Sequence, residues 1–523
     1  MELMTSTFTL VMAAAISIII AQAIDRISVN YISMFVGVVI GLIPILNHHV
    51  AAFDTEIFME LIIAPLLFFE GQKTRVHNIR RSLKAIIGIT VLMVLLAVIT
   101  AGFSIHWITG VGIAMSFIIS SISAPTDATA TESVTNNLKV PRKIAAALKS
   151  ESLFNDASGI ILLNMAVLWF ENGHVNYGQT IRDFLISSVG GAAVGAIIAV
   201  IIIIIRQILV RSKFNSLNAQ NLIYILTPIV IYAISEHVGV SGIIAVVVAG
   251  LMHNAEAQYS VLLNSRQVHM GRDLEGLISE IFNSMVFVIL GLMLVRIGRT
   301  RIFNSDVWRW ITVGIIIYLA NLLIRYLYSR LFMHFSKQEA SIFSFGGVHG
   351  AVTLALALTL SSKFLGQDNY NLVMISEAVL ILLSMIIPTI IFPFMLEHKI
   401  DNQDALIKVD KIRNEMVKKA IFTIHRMYLP RRVKRQVIFT LMTQKQAINT
   451  RQIMHAIIRT IDQPNLSDEE IYLQRLAFMR AFTIEREFLE MIGQKDARYR
   501  TYILKLYNEV LLAESLIITE NED

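Results

Sequence analysis

The chain is 523 residues long, 55% hydrophobic and only 16% charged, which excludes an ordinary soluble domain and fits a protein that crosses a membrane many times. It carries a net charge of +6, and no nucleic-acid partner is expected. With no cysteine, disulfides, thiolate metal sites and redox thiols are excluded.

About thirteen apolar stretches follow one another, most of them long enough to cross ~30 Å of hydrocarbon. They cover residues 7–24, 29–46, 55–70, 84–105, 108–136 with a break, 143–169, 180–206, 219–236, 239–253, 273–296, 307–332, 339–361 and 370–396. The first lacks a basic leading region and a second follows at once, so a span is expected there rather than a cleaved signal peptide. Basic residues fall in alternate loops: Arg26; Lys73, Arg75, Arg80, Arg81 and Lys84; Lys139, Arg142 and Lys143; Arg211 and Lys213; Arg266 and Arg272; Lys337. The positive-inside rule puts those loops in the cytoplasm, the amino terminus outside and the carboxyl terminus inside. Arg296, Arg299 and Arg301 run against that pattern, so the topology is weakest around spans 10 and 11.

Span 5 contains Ser123-Ala124-Pro125-Thr126-Asp127-Ala128-Thr129. Proline lacks a backbone donor and disfavours helix at the residue before it, which predicts a break at membrane depth with amides and carbonyls set free. Span 6 carries Glu151, Ser152, Asn155 and Asp156, which at helical spacing share one stripe of a helix that continues as Ile160 to Leu163. Each ionisable group at mid-depth costs roughly 2.5 to 3.5 kcal/mol, so two carboxylates about a turn apart point to a wet cavity or an ion path. Span 12 contains Gly346-Gly347-Val348-His349-Gly350, which either breaks the helix or lets helices pack closely. With span 7 as a linker, the broken segments occupy the fifth position of two six-span halves, the pattern of a transporter built from inverted repeats.

After Glu397 the chain is richer in charge and has no membrane-length apolar run. Ile412, Met416, Ala420, Ile424 and Met427 recur at helical spacing before Arg431, Arg432, Lys434 and Arg435, which predicts a helical cytosolic tail over 398–523. That tail either packs on itself or on a second copy, or meets anionic lipid or a cytosolic regulator.

At these residues the chain resembles the monovalent cation:proton antiporter family, which includes the bacterial NhaP-type sodium/proton antiporters and the animal sodium/proton exchangers. The resemblance covers most of Met1 to Glu397. It rests on Phe68-Phe69-Glu70-Gly71, Pro125-Thr126-Asp127, Glu151-Ser152 with Asn155-Asp156, Arg325, and Gly346 to Ala351 before Leu354-Ala355-Leu356. It implies an all-α, NhaA-like antiporter fold of about thirteen transmembrane helices with two interrupted helices. It also implies a homodimer in the cell membrane, with a dimerisation domain (spans 1–3 and 8–10) and a core domain (spans 4–6 and 11–13). The cargo would be sodium, or lithium or potassium, exchanged for protons in pH homeostasis, with no resident cofactor.

The resemblance further implies an electroneutral branch marked by adjacent Asn and Asp, with sodium held by Asp156, Ser152, Thr126 with a nearby carbonyl, and Glu70, and with Asn155 steadying the carboxylate. Elementary chemistry agrees. A dry cavity favours the neutral acid and a nearby cation favours the anion, so proton and sodium compete for one group. Sodium, being hard, must regain oxygen ligands when it loses water. Glu70 is either a ligand or a solvated carboxylate near the cytoplasmic end of span 3. Asp127 either binds the ion or neutralises a freed half-helix amino end. Glu151 and Arg325 are expected to form a structural ion pair.

Two positions depart from the family. His349 replaces the arginine of Gly-x-Arg-Gly, and either contributes to pH response or is a neutral, hydrogen-bonded core histidine. Ala128 stands where proline is common, which predicts a softer break. Glu377 in span 13 has no assigned role and is expected near the outer surface. A cation channel using the same carboxylates, or an intramembrane hydrolase with an Asp127 and Asp156 pair, are the alternative classes.

Overall fold

Apolar runs become helices here because backbone in hydrocarbon must satisfy its own polar groups. The computed structural model describes residues 2–24, 27–50, 55–73, 88–136, 138–173, 177–211, 217–260, 265–301, 306–360, 362–397, 402–445, 466–495 and 499–519. Among them helices are the regular elements and no strand occurs. The chain divides into two compact units, Met1–Glu397 and His398–Asp523. Arg26, Arg75, Arg80, Arg81, Lys84 and Lys213, which helped to set the expected orientation, lie outside the described residues.

The first unit begins with α1 (Glu2–Ala23), α2 (Val29–Leu42) and α3 (Pro44–His49). Next, α4 runs from Thr55–Phe58 through a π turn, Met59–Ile63, into Ala64–Gln72, and α5 from a π turn, Gly88–Met93, into Val94–Thr109. The half-helices α6 (Ile113–Ile122) and α7 (Ala128–Val134) precede the long α8 (Arg142–Asn172). Then come α9 (Tyr177–Arg211), α10 (Leu217–Val238), α11 (Gly242–Ser260), α12 (Ser265–Arg301) and α13 (Asp306–Leu331). A second pair of half-helices, α14 (Lys337–Phe345) and α15 (Ala351–Thr359), is followed by α16 (Gln367–Met395).

Seven helices among the described residues are long and apolar enough to cross a membrane: Thr5–Ala23, Gly88–Thr109, Leu185–Leu209, Asn218–Val238, Val268–Arg296, Val307–Leu331 and Gln367–Met395. The remaining expected spans contain shorter, more polar or interrupted helices, for local reasons. In α2 the helix stops at Ile43 because Pro44 disfavours helix before it. In α4, Pro65 has no N–H for the carbonyl of Leu61, and the ladder widens into the π turn just ahead of it. Spans 5 and 12 are each two half-helices.

Small residues set the closest helix contacts. A Cβ on Gly37 of α2 would fall on the carbonyl oxygen of Val288 in α12, and one on Gly291 of α12 would fall on that of Met34. The two backbones touch where side chains are absent, a close approach that only glycine permits. Gly291→Ala is expected to force the helices apart at about 1 to 3 kcal/mol, read as a lower thermal midpoint of the detergent-solubilised protein.

The second unit contains α17 (Asn402–Arg426), α18 (Arg431–Thr443), α19 (Asp468–Lys495) and α20 (Arg500–Thr519). Ile412, Met416, Ala420 and Ile424, the stripe visible in sequence, are buried in its core with Val433, Val437 and Leu441 of α18 and Phe482 and Leu489 of α19. Met427 packs partly buried against them. In α18 the basic residues Arg431, Arg432 and Arg435 stay exposed while Val433, Val437 and Leu441 face inward. Arg413 pairs with Glu509, and Arg486 with Glu514, tying α17 and α19 to α20.

One carboxyl sits inside this core. Glu485 is 0% exposed, and burial pushes it up to about 7 against a smaller opposing effect of the Gln444 amide. The folded unit therefore binds this proton more tightly than the unfolded chain, whose value is 4.5. Stability from this group is fullest below the unfolded value and declines as pH rises towards the folded one, by at most about 3 kcal/mol. Amide hydrogen exchange of α19 in the full chain, corrected for intrinsic rates, should show protection declining from acid to alkaline pH, with Glu485→Gln flat and better protected at the alkaline end.

Candidate functional site

Two unwound stretches cross inside the first unit. Pro125 ends α6, and the chain leaves the helical ladder after Ser123 and is extended at Asp127 before α7 begins, while the glycines of 346–350 interrupt the helix between α14 and α15. The span-12 glycines thus interrupt the helix, and close packing is an added effect. A Cβ on Gly350 would fall on the Asp127 carboxylate, and one on Gly347 would fall on the Arg325 guanidinium. At the crossing Asp127 N donates to Val348 O at 2.7 Å. Thr353 Oγ1 donates to Pro125 O at 3.2 Å, and Thr131 Oγ1 to Gly346 O at 3.0 Å.

Four freed helix ends meet charge or polarity of the matching kind. Asp127 Oδ1 accepts from Thr129 N at 2.8 Å, Ala130 N at 3.0 Å and Thr129 Oγ1 at 2.6 Å, while Oδ2 accepts from Ala351 N at 3.0 Å. One carboxylate therefore caps the positive amino ends of both α7 and α15. At the negative carboxyl end of α14, Arg325 donates from Nε to Ser344 O at 3.2 Å and from Nη2 to Phe343 O at 3.0 Å. Its Nη1 pairs with Glu151, and both side chains are buried. At the end of α6, His349 Nε2 lies 2.8 Å from Ser123 O, and the His349 amide donates to Ser384 Oγ at 3.0 Å. A buried imidazole with one hydrogen bond occupies the place, and the geometry is that of a bonded core histidine.

The stripe on α8 faces the crossing. Ser152 Oγ donates to Thr126 O at 2.8 Å, and Asn155 Nδ2 to Thr126 Oγ1 at 2.7 Å and Ala124 O at 3.5 Å. These bonds latch α8 to the unwound stretch and turn Asp156 into a cavity. Asp156 is 2% exposed, and its Oδ1 has no hydrogen-bond partner among the described residues. The cavity offers about 50 Å³ to a water-sized sphere and is lined by Asp156, Thr126, Asp127 and Glu70, then by Lys73 and Glu132. That is room for a few waters, and the lining passes from buried acids to exposed charged groups.

The structure therefore brings Asp156, Thr126, Asp127 and Glu70 to one cavity. Ser152 and Asn155 stand behind it through Thr126, Glu151 and Arg325 lie at the end of α14, and His349 lies at the crossing. Both Asp127 oxygens are engaged in capping. Glu377, expected near the outer surface, is 1% exposed and lies seven residues before Ser384, on the helix face that meets the crossing. Lys149, Ser279 and Asn283 line the cavity without having been singled out. Asn283 Oδ1 lies 3.2 Å from Thr129 Oγ1, Asn283 donates to Asn30 Oδ1 at 3.0 Å, and Asn30 donates to Ser133 Oγ at 2.9 Å, so a polar chain joins α2 and α12 to α7. The only signal for it was asparagine inside two apolar spans.

Crossed half-helices capped by one aspartate, beside a long helix with a buried Asn-Asp pair, define the class: a multi-pass membrane protein built around a broken-helix core. The fold is similar to that of the sodium proton antiporter MjNhaP1 from Methanocaldococcus jannaschii at pH 8, with a TM-score of 0.61 and 19% identity over 76% of this chain and 98% of that one. The chain belongs to the family described as "Sodium/hydrogen exchanger, transmembrane", which it matches over residues 10–398. It is 30% identical over 448 residues to the sodium, potassium, lithium and rubidium/H(+) antiporter of Bacillus subtilis (strain 168), covering 81% of this chain and 66% of the relative. It is 28% identical over 521 residues to the uncharacterized Na(+)/H(+) exchanger YjcE of Escherichia coli (strain K12), with 92% of each chain covered. The chain thus spans about two thirds (66%) of the length of the Bacillus relatives.

Proposed function

We propose that this chain exchanges a monovalent cation for a proton across the cell membrane, with Asp156 holding one or the other. The observation that carries this reading is a buried carboxyl oxygen with no hydrogen-bond partner among the described residues, facing a cavity with room for water among oxygen-bearing groups. Sodium would be held by Asp156, the Thr126 side chain and Glu70, with Ser152 and Asn155 fixing the Thr126 segment through the bonds described above. Asp127 is read as the cap that keeps two half-helix amino ends together rather than as a ligand. If only the loaded or protonated carboxyl can pass the apolar barrier, empty return is blocked and the fluxes are coupled. One acid trading one proton for one cation moves no net charge, which supports 1:1 electroneutral exchange.

Family membership supports thirteen spans in two inverted halves, a homodimer formed by spans 1–3 and 8–10, an external amino terminus and a cytoplasmic tail that stabilises the dimer or receives a regulator. Sodium is the first reading for the cargo. Potassium is the second, because the Bacillus relatives are named for sodium, potassium, lithium and rubidium.

Proteoliposomes with an imposed proton gradient test the reading. Addition of sodium or potassium should dissipate the gradient at the same rate whether the membrane potential is clamped at zero or held negative. A potential-driven current without proton movement would indicate a channel instead.

A further inference from the structure

The crossing divides the first unit into two sides, and the cavity serves one of them. Thr129 and Glu132 of α7 line the cavity. Beyond α7, Lys139 N donates to Glu397 O at 2.8 Å, and Gln338 of α14 donates to Met395 O at 3.3 Å. The cavity side is therefore the side on which α16 ends. Ser384 of α16 meets the crossing at His349, so the residues of α16 before Ser384 lie on the far side, where α15 continues.

Glu377 sits there. It precedes Ser384 by two turns, about 10 Å along the axis and on nearly the same face, so it points towards the half-helices. It is 1% exposed, and neither carboxyl oxygen has a hydrogen-bond partner among the described residues. A second group stands between it and the crossing. On α13, a Cβ at Gly314 would meet Ser376 O and Val379 of α16, while Asn321 Nδ2 lies 3.5 Å from Ser123 O at the crossing. Tyr318 falls between these two contacts on the same helical stripe, and its buried hydroxyl likewise has no hydrogen-bond partner among the described residues. His349 Nδ1, at the crossing itself, is a third such atom.

An acid held at membrane depth without a cation or donor is a functional feature by default, because packing alone is served better by an apolar side chain. Asp156 reaches water on the cavity side without help from this group. The cavity that Asp156 lines lies on the near side, and exchange requires proton release or uptake on the far side too.

Resting on the exchange reading above, we propose that Glu377 is the proton-handling group of the far half of the path, with Tyr318 between it and the crossing. When the far side opens, the proton leaves the Asp156 carboxyl, is taken up by the Glu377 carboxylate and passes from there to bulk water. Asp156 is left as the anion that accepts the cation. On the return the same proton moves the other way.

The test separates two modes of transport in the full chain reconstituted into proteoliposomes. Exchange of labelled for unlabelled sodium at equal pH needs no proton, whereas sodium-driven proton movement does. Glu377→Gln keeps the shape of the acid and should leave sodium/sodium exchange within about twofold of wild type while slowing sodium/proton exchange by about a hundredfold, the usual worth of a positioned acid. Glu377→Asp should recover part of the proton-coupled rate, and Tyr318→Phe should lower that rate alone. A Glu377→Gln protein that moves protons at the wild-type rate overturns the proposal, as does one that loses both modes together. Failure of the wild-type chain to exchange either way overturns the exchange reading itself and is distinguished by the absence of any effect of Asp156→Asn.

Discussion

Asp156→Asn is expected to reduce cation/proton exchange to below about a thousandth of the wild-type rate while leaving the protein folded, because an amide neither takes up a proton nor neutralises a bound cation. The substitution preserves shape, and the latch bonds of Ser152 and Asn155 to the Thr126 segment do not involve Asp156. It also removes a buried carboxyl oxygen that has no partner among the described residues, so the thermal midpoint should hold or rise. A residue kept only for packing behaves in the opposite way. The clearest check is ligand linkage. A cation at 100 times its dissociation constant stabilises the folded state by about 2.7 kcal/mol, so sodium should raise the wild-type midpoint and leave that of Asp156→Asn unmoved. A variant that is fully active, or that still shows the sodium-dependent shift, excludes Asp156 as the shared site.

The parts of this architecture legible in sequence are those determined within a few residues. Pro125 removes a donor and biases Ala124, so the first break was visible without tertiary information, whereas the three glycines at 346–350 weaken a helix but equally allow close packing, and local sequence left that choice open. The α8 stripe was visible from local spacing too, since Glu151, Ser152, Asn155 and Asp156 are neighbours on one helix. The Glu151 and Arg325 pair was legible only through family resemblance, because nothing in local spacing connects residues 174 apart.

Long-range partners and helix azimuth were not legible. Asp127 was left between two roles because its second cap, the Ala351 amide, lies 224 residues away. Hydropathy gives a residue's depth but not the direction in which a helix turns it. Glu377 was therefore given a depth near the outer surface but no facing partner, and its seven-residue spacing from Ser384 puts it on the face that meets the crossing. The Asn30 to Asn283 link was hidden likewise, each asparagine reading as a tolerated polar residue until α2 and α12 came together.

Arg325→Ala is expected to cost about 3 to 5 kcal/mol, enough to lose most folded protein, because it strands Glu151 in a dry site and uncaps α14 at once. The guanidinium holds Glu151, lies over the Phe343 ring at 4.7 Å from its centroid, and donates to the Phe343 and Ser344 carbonyls. Glu151→Gln removes less: the arginine keeps its two carbonyls and gains a neutral acceptor. Its cost should be nearer 1.5 to 3 kcal/mol, roughly one charge-assisted hydrogen bond. The double variant Glu151→Leu with Arg325→Met leaves no stranded charge and should be more stable than Arg325→Ala, though still below wild type because the end of α14 stays uncapped. Thermal midpoints of the three give the coupling. Exchange per folded molecule then separates architecture from chemistry, since Glu151→Gln should retain a substantial rate where Asp156→Asn retains none. Loss of exchange in a Glu151→Gln protein that melts like the wild type would instead move Glu151 into the transport site.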